Sequence, residues 1–288
     1  MTKAAVSGTR KAGKKPPKKR TGRKSGGHRH RSKNAFFRSL KKTWQRLGKR
    51  GKRLSVAAAV LIAVVIAVTI SAHSYFSIPV SSGSYPIKGV DVSSYQGSVD
   101  WEKLYKQDIA FAFIKATEGS SHVDKMFAQN WEAVRKTEIR AGAYHFMSLE
   151  TAGSAQAENF LGTVMARRGM LPPVIDVELY GSFTYAEPSV QHLQSILTPL
   201  LKAVKEETGK APIIYTTPHL YSKYIAGTYD NDIWIADTKL ASPLSDGRTW
   251  TFCQYSVSGR LEGYEGGVKS IDLDVFNGSR SGFWKYCR

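Results

Sequence analysis

The chain has 288 residues, room for one large domain and additional segments. Its formal charge of +19 is unevenly placed: residues 1–53 hold 21 Lys and Arg and no acid, and the first acid is Asp91. Beyond residue 53, 42 − 21 = 21 basic side chains face 23 acidic ones, which excludes a uniformly basic protein and leaves a nearly neutral body behind a basic tail.

The tail comes first. Lys14-Lys15-Pro16-Pro17-Lys18-Lys19-Arg20 and scattered Gly and Ser offer too little apolar surface to offset the entropy of ordering, so disorder is expected over 1–53. Two partners suit such a charge. Anionic lipid would gain about 1 kcal/mol per basic residue near the membrane surface. Nucleic acid would bind nonspecifically and weaken with salt. Sparse aromatics (Phe36, Phe37, Trp44) argue against a dedicated nucleic-acid module, and 33–46 could lie as an interfacial helix. A plain topology determinant is the alternative.

Residues 54–72 carry no charge and would span roughly 28 Å as a helix, close to a bilayer's apolar thickness. The expectation is one transmembrane signal anchor over 54–73, with Ser71-Ala72-His73-Ser74 leaving a cleaved signal peptide as the alternative. The basic flank places the tail in the cytoplasm and the rest outside. A Ser-rich linker follows over 74–86, and the folded domain is expected at 87–288. Outside the cytoplasm, Cys253 and Cys287 could pair as a disulfide; two unrelated thiols are the other reading.

Within 87–288, β-type runs recur at 89–93, 110–117, 140–146, 174–178, 212–215, 232–236, 251–255 and 271–276. Segments of helical period separate the first five: 101–107, 125–137, 154–166 and 190–208, the last stopping at Gly209. Residues 218–224 form a short helix at most, and the later gaps are short and polar. Alternating strands and helices predict parallel pairing. Eight strands in about 200 residues predict a TIM-like α/β barrel whose last three strands lack full helices.

Acids occupy the strand ends, where such barrels build active sites. In Val174-Ile175-Asp176-Val177-Glu178 the two carboxylates share one face, about 7 Å apart along the strand, while Ile175 and Val177 take the other. Gly89, Asp91 and Ser93 alternate with Val90 and Val92, and Asp272 and Asp274 alternate with Ile271, Leu273 and Val275. Three inward faces carrying acids would raise one another's pKa and keep a proton available near neutral pH. No His/Cys cluster has metal spacing and no cofactor is expected, although a carboxylate-only Mg²⁺ or Ca²⁺ site stays open.

Around these acids, Tyr144 and Phe146 read as a ring platform for a ligand or as core, and His145 as a structural histidine. Lys115 and Glu118 could contact the acids or each other. Trp234 and Gln254-Tyr255 read as lining the groove, and Trp101 as a core residue opening a helix.

These residues resemble the glycoside hydrolase family 25 lysozymes. The likeness runs through Gly89-Val90-Asp91-Val92-Ser93, Tyr95-Gln96-Gly97, Phe111 to Gly119, Gly142-Ala143-Tyr144-His145-Phe146, Asp176-Val177-Glu178 and Ile271-Asp272-Leu273-Asp274-Val275-Phe276-Asn277-Gly278, and covers about 87–280. It implies a (β/α)5(β)3 barrel that cleaves the β-1,4 bond between N-acetylmuramic acid and N-acetylglucosamine in peptidoglycan. On that resemblance Glu178 is the general acid and Asp176 the nucleophile or the group orienting the substrate's acetamide. Asp91 and Asp272 complete the catalytic set. Asp272 is chosen over Asp274 because the second acidic place in that motif is often Asn in the family. Tyr144, Phe146, Lys115, Glu118, Trp234 and Asp274 make up the expected substrate-binding set. Peptidoglycan glycan strands and membrane lipid are the implied partners, with the domain outside a bacterial cytoplasmic membrane. A membrane-held module that binds peptidoglycan without cleaving it is the competing function.

Overall fold

The computed structural model describes residues 85–164 and 169–288. The expected basic tail, membrane anchor and most of the linker lie outside the described residues. Among the described residues, no helix is long and apolar enough to cross a membrane.

The strands are β1 (Lys88–Val92), β2 (Ile109–Glu118), β3 (His122–Val123), β4 (Arg140–Phe146), β5 (Val174–Val177), β6 (Ile213–Thr216), β7 (Ile233–Ala236), β8 (Phe252–Gly259) and β9 (Ile271–Phe276). They form one sheet in the order β1-β9-β8-β7-β6-β5-β4-β2-β3, closed by β1 pairing with β2. Eight strands therefore make the barrel. The ninth, β3, is a two-residue strand folded back on the end of β2. Sequence pattern gave no sign of it, since two residues show no periodicity.

Four helices cover the early crossovers: α1 (Trp101–Lys106), α2 (Phe127–Val134), α3 (Gly153–Thr163) and α4 (Val190–Thr208). A fifth connection carries only the short turns Pro218–Leu220 and Tyr221–Ile225. No helix separates β7, β8 and β9, which is the expected 5 + 3 division. One expectation is corrected: β9 runs antiparallel to both β1 and β8 rather than parallel. Without a helix to carry the chain back across the barrel, the 260–270 connection simply reverses it. A further helix, α5 (Arg280–Tyr286), was not anticipated.

Strand alternation sorts the side chains into two cores. Val90, Val92, Ala112, Ile114, Ala143, Ile175, Val177, Ile214 and Ile235 face outward to the helices. There α4 presents Leu193, Ile196, Leu197, Leu200, Leu201 and Val204 at helical spacing; Ser189 caps its start and Gly209, at φ +70°, ends it. The inward set is aromatic: Phe111, Phe113, Tyr215, Trp234, Phe252 and Phe276, with Phe283 of α5 plugging the end opposite the site. Phe113 stacks on Trp234 with centroids 4.4 Å apart, and Phe283 lies 5.3 Å from Phe276. These rings fill the barrel from below and give its upper end a solid floor.

The expected disulfide is absent: Cys253 and Cys287 are both free and buried. Cys253 faces outward among the helices and its thiol donates to the Asp237 carbonyl, whereas Cys287 ends α5 beside the interior plug. The barrel wall thus lies between the two cores that hold them.

Gly153 opens α3 where it crosses α4, and a Cβ there would stand 2.0 Å from the Ile196 carbonyl oxygen. That neighbour is backbone within a helix and cannot turn aside. Gly153→Ala is expected to cost about 2–3 kcal/mol in urea unfolding; a loss under about 0.5 kcal/mol would contradict this packing.

Candidate active site

At the carboxyl ends of the strands a cavity of about 210 Å³ opens, lined by Asp91, Ser93, Tyr95, Gln96, Lys115, Tyr144, Phe146, Asp176, Glu178, Tyr215, Trp234, Gln254 and Asp272. Each acid arrives there by parity. Asp91 and Asp176 sit within their strands, Glu178 follows β5 directly, and Asp272 pairs across the ladder with Asp91. All four acids expected to be catalytic therefore meet in one place. Asp91 and Asp176 are buried, at 8 % and 6 % exposure, while Glu178 and Asp272 remain partly open.

Burial controls their ionisation. Loss of water raises the carboxyl pKa of Asp91 well above its ordinary value, and the neighbouring Asp272 raises it further; an amide hydrogen bond from Gln254 opposes this. Asp176 is raised well above its usual range by burial first and by Glu178 second. Glu178 is raised by burial, and Asp272, also through burial, is pushed up to about 6. Lys115 pulls Asp176 and Glu178 the other way.

A hydrogen-bonded chain links the acids. Gln254 Nε2 donates to Asp91 Oδ2 at 2.7 Å, which turns Gln254 Oε1 toward the Tyr215 hydroxyl at 3.0 Å. The same hydroxyl lies 3.4 Å from Glu178 Oε1. One phenol has one hydrogen, and the nearer acceptor is the Gln254 carbonyl. The longer donation to Glu178 Oε1 favours the ionised form of that carboxyl and so opposes the burial that raises it. Asp176 Oδ1, in contrast, is buried and meets no partner.

The expected binding residues divide. Tyr144, Phe146, Lys115 and Trp234 line the cavity. Lys115 Nζ sits 4.8 Å over the Phe146 ring and pairs with Glu118 at 2.7 Å. Glu118 is not part of the lining: its side chain is 46 % exposed, and it serves Lys115 instead. Asp274 is also corrected, being fully buried below the cavity where it accepts from Trp234 Nε1 at 2.8 Å. His145 is structural, held between Thr117 and Gln156, with burial lowering its pKa to about 4. Trp101 is a core residue.

Sequence reading missed Tyr215 and left Ser93, Tyr95 and Gln96 as parts of a motif without a role. Tyr215 could have been found, because alternation in Ile213-Ile214-Tyr215-Thr216 turns it inward at a strand end. Tyr95, 70 % exposed at the rim, follows a strand and has no periodicity to orient it. Among the described residues, no group of three His, Cys, Asp or Glu is arranged to hold a metal ion.

An unpartnered buried carboxyl beside a second carboxyl is a cost to folding. Because the Asp176 pKa is raised above the unfolded value of 3.8, stability is full below that pH and is lost as pH rises toward the folded value. Asp176→Asn is therefore expected to raise stability at pH 7 by about 1–2 kcal/mol, or about 2–8 °C in melting temperature. The gain should vanish near pH 3, below the unfolded value of 3.8. A variant less stable than the parent at pH 7 would contradict the cost assigned to this carboxyl.

Comparison with known proteins identifies the family. The sequence profile of glycosyl hydrolases family 25 matches residues 90–264. A family 25 glycosyl hydrolase structure from Bacillus anthracis is 46 % identical over 71 % of this chain and 94 % of its own, with a TM-score of 0.67. The bacterial lysozyme from Streptomyces coelicolor is 30 % identical over 70 % and 96 %, with a TM-score of 0.62. Lysozyme M1 of Streptomyces globisporus is 32 % identical over 67 % of this chain and 68 % of its length. The chain belongs to the glycosyl hydrolases family 25 and is a glycosidase of the lysozyme class.

Proposed function

We propose that this enzyme hydrolyses the β-1,4 bond between N-acetylmuramic acid and N-acetylglucosamine in peptidoglycan, with Glu178 protonating the leaving oxygen. The observation that carries the assignment is the place of Glu178: it follows β5 directly, lines the cavity while staying partly open, and is raised above its ordinary pKa by burial, so a bond held over the floor can reach its proton.

Glycoside cleavage needs a proton donor and an anionic group beside the oxocarbenium-like carbon. Asp176 suits the second task. Its Oδ1 is buried and unpartnered, so it is available either to attack the anomeric carbon or to accept the N–H of an acetamido group. Lys115 favours its ionised form against the burial that raises it. The reaction asks for opposed protonation states of these two neighbouring carboxyls. Asp91 and Asp272, held on adjacent strands, tune this pair and offer oxygens to sugar hydroxyls or the acetamide. Tyr144, Phe146 and Tyr95 supply ring surface for sugar faces.

A location outside the cytoplasmic membrane is part of the same proposal. It is supported by the uncharged run at 54–72 behind a stretch with 21 basic residues, and by peptidoglycan lying beyond that membrane.

Glu178→Gln in the full chain is expected to lower the release of reducing ends from purified peptidoglycan by about 10³-fold, with an unchanged circular dichroism spectrum. Mass analysis of wild-type fragments should find muramic acid at the new reducing ends. Near-normal turnover by the variant would remove Glu178 from the donor role, and glucosamine reducing ends would overturn the bond assignment.

A further inference from the structure

Asp274 has no part in the chemistry described so far, yet it is the most deeply buried acid of the cluster, at 0 % exposure. Its Oδ1 takes the Trp234 indole N–H at 2.8 Å. Its Oδ2 faces no N–H or O–H donor. Asp91, one strand over, shares its inward face: Gly89 pairs with Asp274 and Asp91 with Asp272, and the carboxyls of Asp91 and Asp274 act on each other. Asp91 already accepts from Gln254 and opens into the cavity.

Two ionised carboxylates cannot hydrogen-bond, because neither has a hydrogen to give. Desolvation makes such a pair costly, and the cost is relieved when one member holds a proton. An oxygen that no donor faces is the worst place for negative charge, which marks Asp274 Oδ2 as the hydroxyl. Asp91, with an amide donor and access to solvent, is the better anion.

We infer that Asp274 is a positioning residue: it stays an un-ionised carboxylic acid, accepts from Trp234 through one oxygen, and donates its O–H to Asp91. Asp91 is thereby held between two donors, Asp274 below and Gln254 beside it, and keeps its charge and orientation toward Asp272 and Glu178. The inference rests on the reading of Asp91 as a member of the reacting cluster. The groups acting on Asp274 agree with it: burial first, then the charges of Asp91 and Asp272, all favour the neutral form, against the single indole donor. Tyr215, Cys253 and Tyr255 also feel this carboxyl, and none of them is a cation.

Infrared difference spectroscopy on the full chain tests the proton directly. Wild type minus Asp274→Asn at pH 7 is expected to show an un-ionised carboxyl C=O band; carboxylate stretches in its place would overturn the inference. The pH profile of kcat/KM tests what the proton does. Asparagine keeps both an acceptor for Trp234 and a donor for Asp91, so Asp274→Asn should leave the acidic limb in place. Asp274→Leu removes the donor, raises the Asp91 pKa and should move that limb up by about one pH unit, a tenfold loss on the acid side. If Asp274 were an anion, Asp274→Asn would instead remove a repelling charge and move the limb down. Coincident profiles for Asn and Leu would overturn the positioning role. Should the Leu variant fail to fold, the infrared arm decides. Loss of activity in Glu178→Gln is independent of both arms, so failure of this inference is separable from failure of the proposed function.

Discussion

The constraint on which the site depends is the exclusion of water from the inside of a closed barrel. Closing β1 on β2 removes the sheet edges and leaves each strand one inward face. Below the mouth that face is aromatic, with Phe113, Trp234 and Phe252 in contact. At the mouth it is acidic. Asp91, Asp176, Glu178, Asp272 and Asp274 are all raised above their ordinary carboxyl values with burial as the leading cause. A floor that admits no water cannot stabilise these charges, so protons and a few fixed donors must do so.

Those donors are sparse and directional. Gln254 serves Asp91, Trp234 serves Asp274, and Tyr215 stands between Gln254 and Glu178. Lys115 is the cation that lines the cavity, and it is anchored by Glu118 outside it. This arrangement lets each acid differ from its neighbours although all are the same kind of group. Asp176 is opposed by a lysine, Glu178 by a phenol, and Asp274 by an indole alone. Separate roles in one reaction follow from separate surroundings.

Much of this could be read from the sequence because a strand alternates with period two. Alternation placed Asp176 with Glu178, Asp91 with Ser93, and Asp272 with Asp274 on inward faces, and the barrel bears each of these out. Helical period likewise found α4 and its stop at Gly209. Period gives a face, however, and not a depth along it. Asp272 and Asp274 have the same parity, yet one opens to the cavity while the other is sealed beneath it. Contacts between distant strands were equally hidden, since the Tyr215–Gln254 bond joins residues 39 apart in the chain. The cysteine pairing failed for a related reason: composition says what could bond, while the barrel wall decides what can meet.

The central claim is that burial raises these five carboxyls above their ordinary values, so that some of them hold protons that free carboxyls would have released. Carbon-13 NMR titration of the Asp and Glu side-chain carboxyls in the intact protein, assigned by the single Asn and Gln variants, measures this directly. The account predicts that Glu178 and Asp272 titrate well above the ordinary carboxyl range, with Asp272 near 6, and that Asp274 shows no deprotonation at neutral pH. Midpoints near 4 for all five acids would contradict it.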